Sequence, residues 1–136
     1  MTREDDEKNP YYRRMMDGPV GRFGAYLMAK SFDEAMWTAT STLEGKSKAP
    51  SHMALTERLK ALTEDEQDAV VSLVRGSVVS SLHGFLHGLS NDESLIKLVF
   101  EGANISESSD GFQGDLFFWL RDLSKYPYDA LSESDG

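Results

Sequence analysis

The sequence of 136 residues contains no cysteine and only four prolines, and these absences limit the class of protein. Without cysteine the chain has no disulfide framework and no thiol nucleophile, which excludes disulfide-rich secreted folds and thiol chemistry. No run of eighteen apolar residues is present, and residues 1–30 lack the charged-then-apolar order of a signal peptide. We therefore expect a cytoplasmic protein of one domain that makes no contact with a membrane.

Motifs for nucleophilic catalysis and for phosphate binding are also missing from the sequence. It contains neither a G-x-S-x-G elbow nor a G-x-x-x-x-G-K-[ST] loop. Paired carboxylates are frequent in an acidic chain, so a pair such as Asp92-Glu93 carries little information about acid–base catalysis. These absences favour a protein that is not an enzyme and that binds no cofactor.

Basic residues are scarce relative to acidic ones, and the imbalance is concentrated towards the C-terminus. Twenty-three acidic residues against 14 lysines and arginines give a net charge of −9, and residues 91–136 hold ten acids and three bases. Such a negative surface repels phosphate backbones and anionic membranes, so we expect no nucleic-acid partner. A partner protein with a basic surface is the expectation that remains.

Apolar residues recur at helical spacing through most of the chain, which predicts an all-α fold. A short helix is expected after Pro10, and Pro19 suits the first position of a long helix that covers about 20–44. Gly45 fits the end of that helix, and a linker separates it from a shorter helix over about 51–61.

The clearest local signal is the Thr63-x-x-Glu66 capping box, which predicts a second long helix that runs to about Leu89. Its apolar side chains form one stripe that is expected to face the core: Val70, Val71, Val74, Val78, Leu82, Phe85 and Leu89. Another face carries small residues, which predict either a close crossing of two helices or simple tolerance of glycine in a long helix: Ser72, Gly76, Ser80, Gly84 and Gly88.

The segment after this helix is ambiguous between helix and strand. A capping pattern over 90–93 and the position of Gly102 favour a short helix over 95–100, but its dense apolar run is also typical of a buried strand. Residues 102–114 are expected to form an acidic loop, and a last apolar helix is expected before Pro127.

Together these elements predict an all-α, single-domain bundle of about five helices, two of them long. The alternative is an α+β fold with a short strand near 95–100. The helical domain is expected to cover 10–127, after a disordered N-terminal segment over 1–9 and before a flexible acidic tail over 128–136.

Two histidines, His83 and His87, lie four residues apart on the second long helix, as a pair of metal ligands requires. The residues between them are Gly-Phe-Leu, so the zinc-protease pattern is absent. A third ligand would have to come from elsewhere, for instance from Asp92, Glu93 or His52. Packing or surface roles are the alternative, and the pair without metal would form a pH-sensitive spot.

A single cation, Arg75, lies in the apolar part of the same helix. We expect it to form a structural ion pair with an acid such as Glu101 or Asp115. The alternative is an anion ligand in a cleft between helices.

Three consecutive aromatic residues, Phe117, Phe118 and Trp119, span about 200° of a helix and cannot all face one core. We expect Phe118 or Trp119 to be exposed and to anchor a partner protein. Acidic residues around this anchor would steer a basic partner; the candidates are Asp92, Glu93, Glu107, Asp110, Asp115 and Asp122.

The preferred hypothesis is a non-enzymatic acidic module that binds another protein. Analogy with small acidic inhibitors gives a concrete version, a bacterial protein of the immunity or toxin-neutralising type. One alternative is a small helical enzyme, or a metal- or ligand-binding protein, that uses Arg75, His83 and His87. The other is a structural module that forms a homodimer through the face of small residues.

Overall fold

The computed structural model describes residues 3–92 and 95–129, which form six helices and one two-stranded sheet. The third helix includes a π-helical turn. The elements are α1 (Arg3–Glu7), α2 (Pro10–Asp17), α3 (Pro19–Leu27, Met28–Phe32 and Asp33–Leu43), α4 (Pro50–Leu59), α5 (Glu64–Asn91), β1 (Val99–Phe100), β2 (Ala103–Asn104) and α6 (Phe112–Asp122). The predicted fold class is confirmed as mostly α-helical, with a short strand pair.

Local signals place the helix starts close to where the sequence predicts them. Pro10 and Pro19 each lie in the first turn of a helix, where the missing N–H has no intrahelical acceptor to lose. The Thr63 hydroxyl accepts from the backbone N–H of Glu66, and the Glu66 carboxylate accepts from the backbone N–H of Thr63. This reciprocal capping box begins α5 at the predicted residue.

Helices α3, α5 and α6 pack against one another and enclose the core, and α2 packs against the start of α3. The largest fully buried side chains include Phe32, Phe112 and Trp119. Trp119 lies against the backbone of Gly24, where an added β-carbon would be 2.4 Å from the indole ring. Close approach of α6 to α3 therefore depends on a glycine at this position.

The predicted apolar stripe of α5 is correct in part. Val71, Val78, Leu82 and Leu89 belong to the core or pack against it. Phe85, by contrast, is 58% exposed, because Leu86 turns inward in its place and is fully buried. A residue directly beside a buried one on a helix is rotated by about 100° and points away from the same core.

The short helix predicted over 95–100 is wrong. A strand does form near this segment, as in the alternative, but it covers only Val99–Phe100 and Val99 is exposed. Val99 pairs with Asn104 and Phe100 with Ala103 in an antiparallel hairpin. The two residues between them, Glu101 and Gly102, have φ values of 53° and 79°. Two successive positive φ values make the tight turn that suits two-residue hairpins. Gly102 thus serves a turn and does not end a helix.

The N-terminal segment also differs from its prediction as disordered. Residues 3–7 are helical, and the carboxylate of Asp6 is buried in an ion pair with Arg121 at 2.6 Å. This pair docks α1 on α6, which is the physical reason for the order. The proposed domain limits of 10–127 and the flexible tail over 128–136 stay predictions, since residues 130–136 lie outside the described part of the chain.

Candidate protein-binding surface

The aromatic residue predicted as an anchor, Trp119, is fully buried, so this assignment is wrong. Its ring packs edge-on against Phe23 at 5.8 Å between centroids. Phe118, the other candidate, is half-buried, with Tyr12 at 5.2 Å and the Arg121 guanidinium at 5.6 Å from its ring. The rotation of α6 aims Trp119 into the bundle and leaves Phe118 at the edge, where α2 covers it.

Two predicted partner-binding acids, Asp115 and Asp122, are buried and bonded inside the fold, which corrects their assignment. Asp122 pairs with Arg121 at 2.8 Å and accepts a hydrogen bond from the hydroxyl of Tyr12. Asp115 accepts hydrogen bonds from the hydroxyls of Tyr11 at 2.8 Å and Ser109 at 2.6 Å. Both carboxylates therefore hold α2 and the preceding loop on α6.

Burial governs the protonation of the Asp115 cluster. It raises the pKa of the Asp115 carboxyl, and the hydrogen bonds from Ser109 and Tyr11 partly oppose this effect. Burial also raises the pKa of the Tyr11 hydroxyl to about 12. At neutral pH Tyr11 is thus a hydrogen-bond donor to Asp115, while its oxygen accepts from the backbone N–H of Asp110 at 3.0 Å.

Above this cluster is a cleft of about 440 Å³ that two of the predicted acids line, Glu107 and Asp110. Both are exposed, and Tyr11 and Arg14 of α2 form the opposite wall. Asp92, another predicted acid, is exposed at the end of α5. Glu93 lies outside the described residues. The acids that remain available to a partner are thus Asp92, Glu107 and Asp110.

The two histidines are close together, as the helical spacing predicts. The rings of His83 and His87 are nearly parallel, with centroids 6.4 Å apart, and His83 also lies beside Phe117 at 6.0 Å. The amide of Asn91 is hydrogen-bonded to His87. Within residues 3–92 and 95–129, no group of three or more His, Cys, Asp or Glu residues is arranged to hold a metal ion. The structure therefore adds no third ligand to the pair.

Arg75 does not pair with either acid that the sequence suggested. Its guanidinium lies over the ring of Tyr128 at 4.7 Å, a cation–π contact. Glu101 instead pairs with Arg22 at 2.7 Å, and Asp115 bonds to hydroxyl groups. Arg75 lines a cleft of about 450 Å³ between α3 and α5, but Glu44 and Asp68 line the same cleft and would repel an anion.

Helix α5 is only partly covered by the rest of the fold: Leu82, Leu86 and Leu89 are buried and its valines are half-buried, but Leu73 and Phe85 are exposed. A stretch of 18 residues within it has a mean hydropathy of 1.4, and only 6% of that stretch is buried. By length and composition alone α5 is apolar enough to cross a membrane, a property that core helices of soluble proteins share. Leu73 is 70% exposed and Phe85 58% exposed. Leu73 and Phe85 are therefore candidate contacts for a partner.

The small-residue face of α5 is open as well. Among the described residues, no atom outside the helix would lie within 4 Å of a β-carbon added at Gly76 or Gly84. The close crossing predicted for this face is therefore not made by another helix in the part of the chain that the structure describes.

An apolar groove of about 470 Å³ lies between the second half of α3, α4 and the first half of α5. Its ionisable lining residues are Glu34 and His52, and the imidazole Nδ1 of His52 is hydrogen-bonded to the Ser47 hydroxyl at 2.7 Å. Two hydroxyl groups belong to the lining, those of Thr38 and Thr42, and the buried Oγ1 of Thr42 has no hydrogen-bond partner among the described residues. The apolar lining consists mainly of Ala35, Ala39, Leu55, Leu59, Val70 and Val74.

This groove is not predictable from the sequence alone, because each apolar stripe by itself is typical of a core-facing helix. Val70 and Val74 were placed in one stripe with Val71 and Val78, although residues 70 and 71 are rotated by about 100° from each other. The sequence does indicate that the apolar stripe of α5 is too wide to be covered by a single neighbouring helix. The uncovered part of the stripe becomes one wall of a groove because α4 lies beside it.

The chain matches no protein-family model, no curated protein and no solved structure. Its function is therefore argued from the geometry described above.

Proposed function

We propose that this protein is a non-enzymatic module that binds another protein through the exposed apolar surface of α5 and the adjoining apolar groove. The observation that carries the proposal is the incomplete cover of α5: in an apolar stretch of 18 residues only 6% of the residues are fully buried, and Leu73 and Phe85 are exposed. A soluble domain gains stability by covering such a helix. Its exposed apolar side chains and the adjoining groove are best explained by a partner that covers them.

Charge defines the kind of partner. The chain carries a net charge of −9, and Asp92, Glu107 and Asp110 are exposed. Complementary charge accelerates encounter and discriminates between partners more than it adds affinity. We therefore propose a partner with a basic surface around an apolar contact. An inhibitor of the immunity or toxin-neutralising type is the concrete form we favour, on the support of small size and negative charge.

The experiment introduces a photoreactive benzoyl-phenylalanine at one position and irradiates cells that naturally make the protein. At Leu73 or Phe85 we expect a discrete cross-linked partner. The same group at Lys48, which is exposed in the loop between α3 and α4, is the control and should give none. Binding of the purified partner should then weaken at least tenfold in Phe85→Glu, and its association should slow as salt rises. Absence of adducts at both α5 positions would refute the proposal.

Self-association is a second candidate function, and the open small-residue face of α5 favours it. With nothing near Gly76 or Gly84, the backbone of a second copy would be able to approach closely. Sedimentation equilibrium tests this directly. A dimer that Gly84→Leu dissociates would support it, and a monomer at high micromolar concentration would exclude it.

A further inference from the structure

We propose that the apolar groove between α3, α4 and α5 receives one amphipathic helix of the partner, with basic side chains beside its apolar face. This inference rests on the proposed function of protein binding and adds the site and the chemistry of the bound segment. It is argued from the length of the groove, the nature of its walls and the charges around it.

The dimensions of the groove fit two turns of a helix. Its wall on α3 includes Ala35 and Thr42, which are seven positions apart, or about 10 Å along the helix axis. Apolar anchors at positions i, i+3 or i+4, and i+7 of a bound helix span the same distance. The volume of about 470 Å³ leaves room for several such side chains.

The walls select a helix over an extended peptide. All three walls are helices, whose backbone groups are bonded within the helix, so they offer no strand edge to pair with. An extended segment would lay unpaired N–H and C=O groups against Ala39, Leu55 and Val74, which is unfavourable. A helix bonds its own backbone groups and presents side chains alone.

The charges around the groove select basic residues. Residues 34–74, which contain all three walls, hold seven acidic and four basic residues. The carboxylate in the lining, Glu34, is exposed and makes no ion pair within the described residues. A lysine or arginine next to the apolar face of a bound helix would find its counter-charge there.

The same charges argue against a second copy and against a lipid surface as the occupant. The apolar helix of a second copy, α5, carries Arg75 as its one basic residue, and each copy has a net charge of −9. Anionic lipids would also be repelled by the net charge of −9 and by Glu34 in the lining. A basic amphipathic helix of another protein satisfies both the apolar lining and the charge.

The test uses the full-length protein and two fluorescein-labelled model helices of about four turns. Both peptides place leucine on one face; the other face is lysine in one and glutamate in the second. Fluorescence anisotropy should show that the Leu/Lys peptide binds at least tenfold more tightly than the Leu/Glu peptide. Equal affinities, or preference for Leu/Glu, would overturn the assignment of charge.

Variants locate the site. Ala39→Leu fills the groove and should weaken binding of the Leu/Lys peptide about tenfold or more. The control is Ala54→Leu, the same change at an exposed position of α4 outside the groove lining, and it should leave binding unchanged. If circular dichroism shows that Ala39→Leu is not folded, Leu55→Asn at the exposed wall replaces it. Glu34→Gln should weaken binding about two- to fivefold, with Glu57→Gln as the control. Equal effects of the groove and control variants would overturn the site.

Two further measurements separate the other occupants. If sedimentation shows a dimer and Ala39→Leu dissociates it, a second copy occupies the groove and the proposal is overturned. If the protein floats with neutral phosphatidylcholine vesicles, a lipid surface is the occupant and the proposal is overturned as well. A cross-linked partner at Leu73 together with no groove-dependent peptide binding would refute this inference but leave protein binding standing. Failure of the cross-linking experiment as well would remove both proposals.

Discussion

Replacement of Gly24 by alanine should destabilise the protein, although alanine is the better helix former. The added β-carbon would lie 2.4 Å from atoms of the Trp119 indole, far inside van der Waals contact. Trp119 is fully buried, so the core side chains around it must shift if the ring is to make room for the methyl group. Overpacking of this kind costs about 2 to 3 kcal/mol, and the gain in helix propensity offsets about 1 kcal/mol of it. We expect a net loss of about 1 to 2 kcal/mol.

The matched control is Gly84→Ala, the same substitution in α5 at a position with no neighbour within 4 Å among the described residues. Here only the propensity and chain-entropy effects act, so the free energy of unfolding should rise by about 1 kcal/mol. The two variants should therefore shift Tm in opposite directions, by about 3 to 8 °C each.

Thermal and urea unfolding, followed by circular dichroism, would measure both shifts. A double-mutant cycle with Trp119→Phe should show coupling to Gly24→Ala, because the smaller ring makes room for the methyl group, and no coupling to Gly84→Ala. If Gly24→Ala proves as stable as Gly84→Ala, Trp119 does not pack on Gly24, and α3 and α6 do not make this close contact.

Three other predictions follow from the buried groups of α2 and α6. Arg121→Ala leaves two buried carboxylates without their cation and should lower the free energy of unfolding by about 3 kcal/mol in urea; a loss below 1 kcal/mol would contradict the buried pair. The ultraviolet titration of the wild type minus that of Tyr11→Phe isolates the ionisation of Tyr11, and its midpoint should lie near pH 12. Because an unfolded tyrosine ionises near 10, wild-type stability should fall as pH rises from 10 to 12, and less so in the variant. In Trp37→Phe the remaining tryptophan, Trp119, should emit at short wavelength and should not be quenched readily by acrylamide. In Trp119→Phe the remaining tryptophan, Trp37, is 51% exposed and should be quenched readily.

Local chemistry made much of the helical architecture predictable. Pro10, Pro19 and the pair Thr63 and Glu66 act on the backbone within a few residues, so their effect does not depend on the rest of the fold. The same is true of Gly45, whose φ of 73° ends α3 as predicted. Sequence signals that act within a few residues along the chain therefore determine where these helices begin and end.

The hairpin shows where local patterns are insufficient. Gly102 has a positive φ, which suits a helix end and a hairpin turn equally. The deciding partners are distant: Arg22 pairs with Glu101, and Phe23 packs against Phe100. Tertiary contacts of this kind override a short segment's own preference.

The candidate site was harder to predict than the fold because it is defined by orientation. Phe117, Phe118 and Trp119 are adjacent in sequence, and only the rotation of α6 decides that Trp119 is buried. The groove likewise exists only once α4 lies beside α3 and α5. The sequence predicted an acidic protein with exposed aromatic side chains on α6. In the structure the exposed apolar side chains proposed for partner binding are on α5.

The ion pair between Asp6 and Arg121 joins groups separated by 115 positions, and Trp119 packs on Gly24, which precedes it by 119 − 24 = 95 positions. On a ribosome that adds about 5 to 20 residues per second, the first helices therefore wait for roughly 5 to 20 s before α6 emerges. Throughout that interval the side chains of Phe23, Met28 and Phe32 are not covered by α6. The apolar side chains of α5 add to the apolar surface that the nascent chain exposes. Nascent chains of this protein should consequently depend on chaperone protection more than their modest size would suggest.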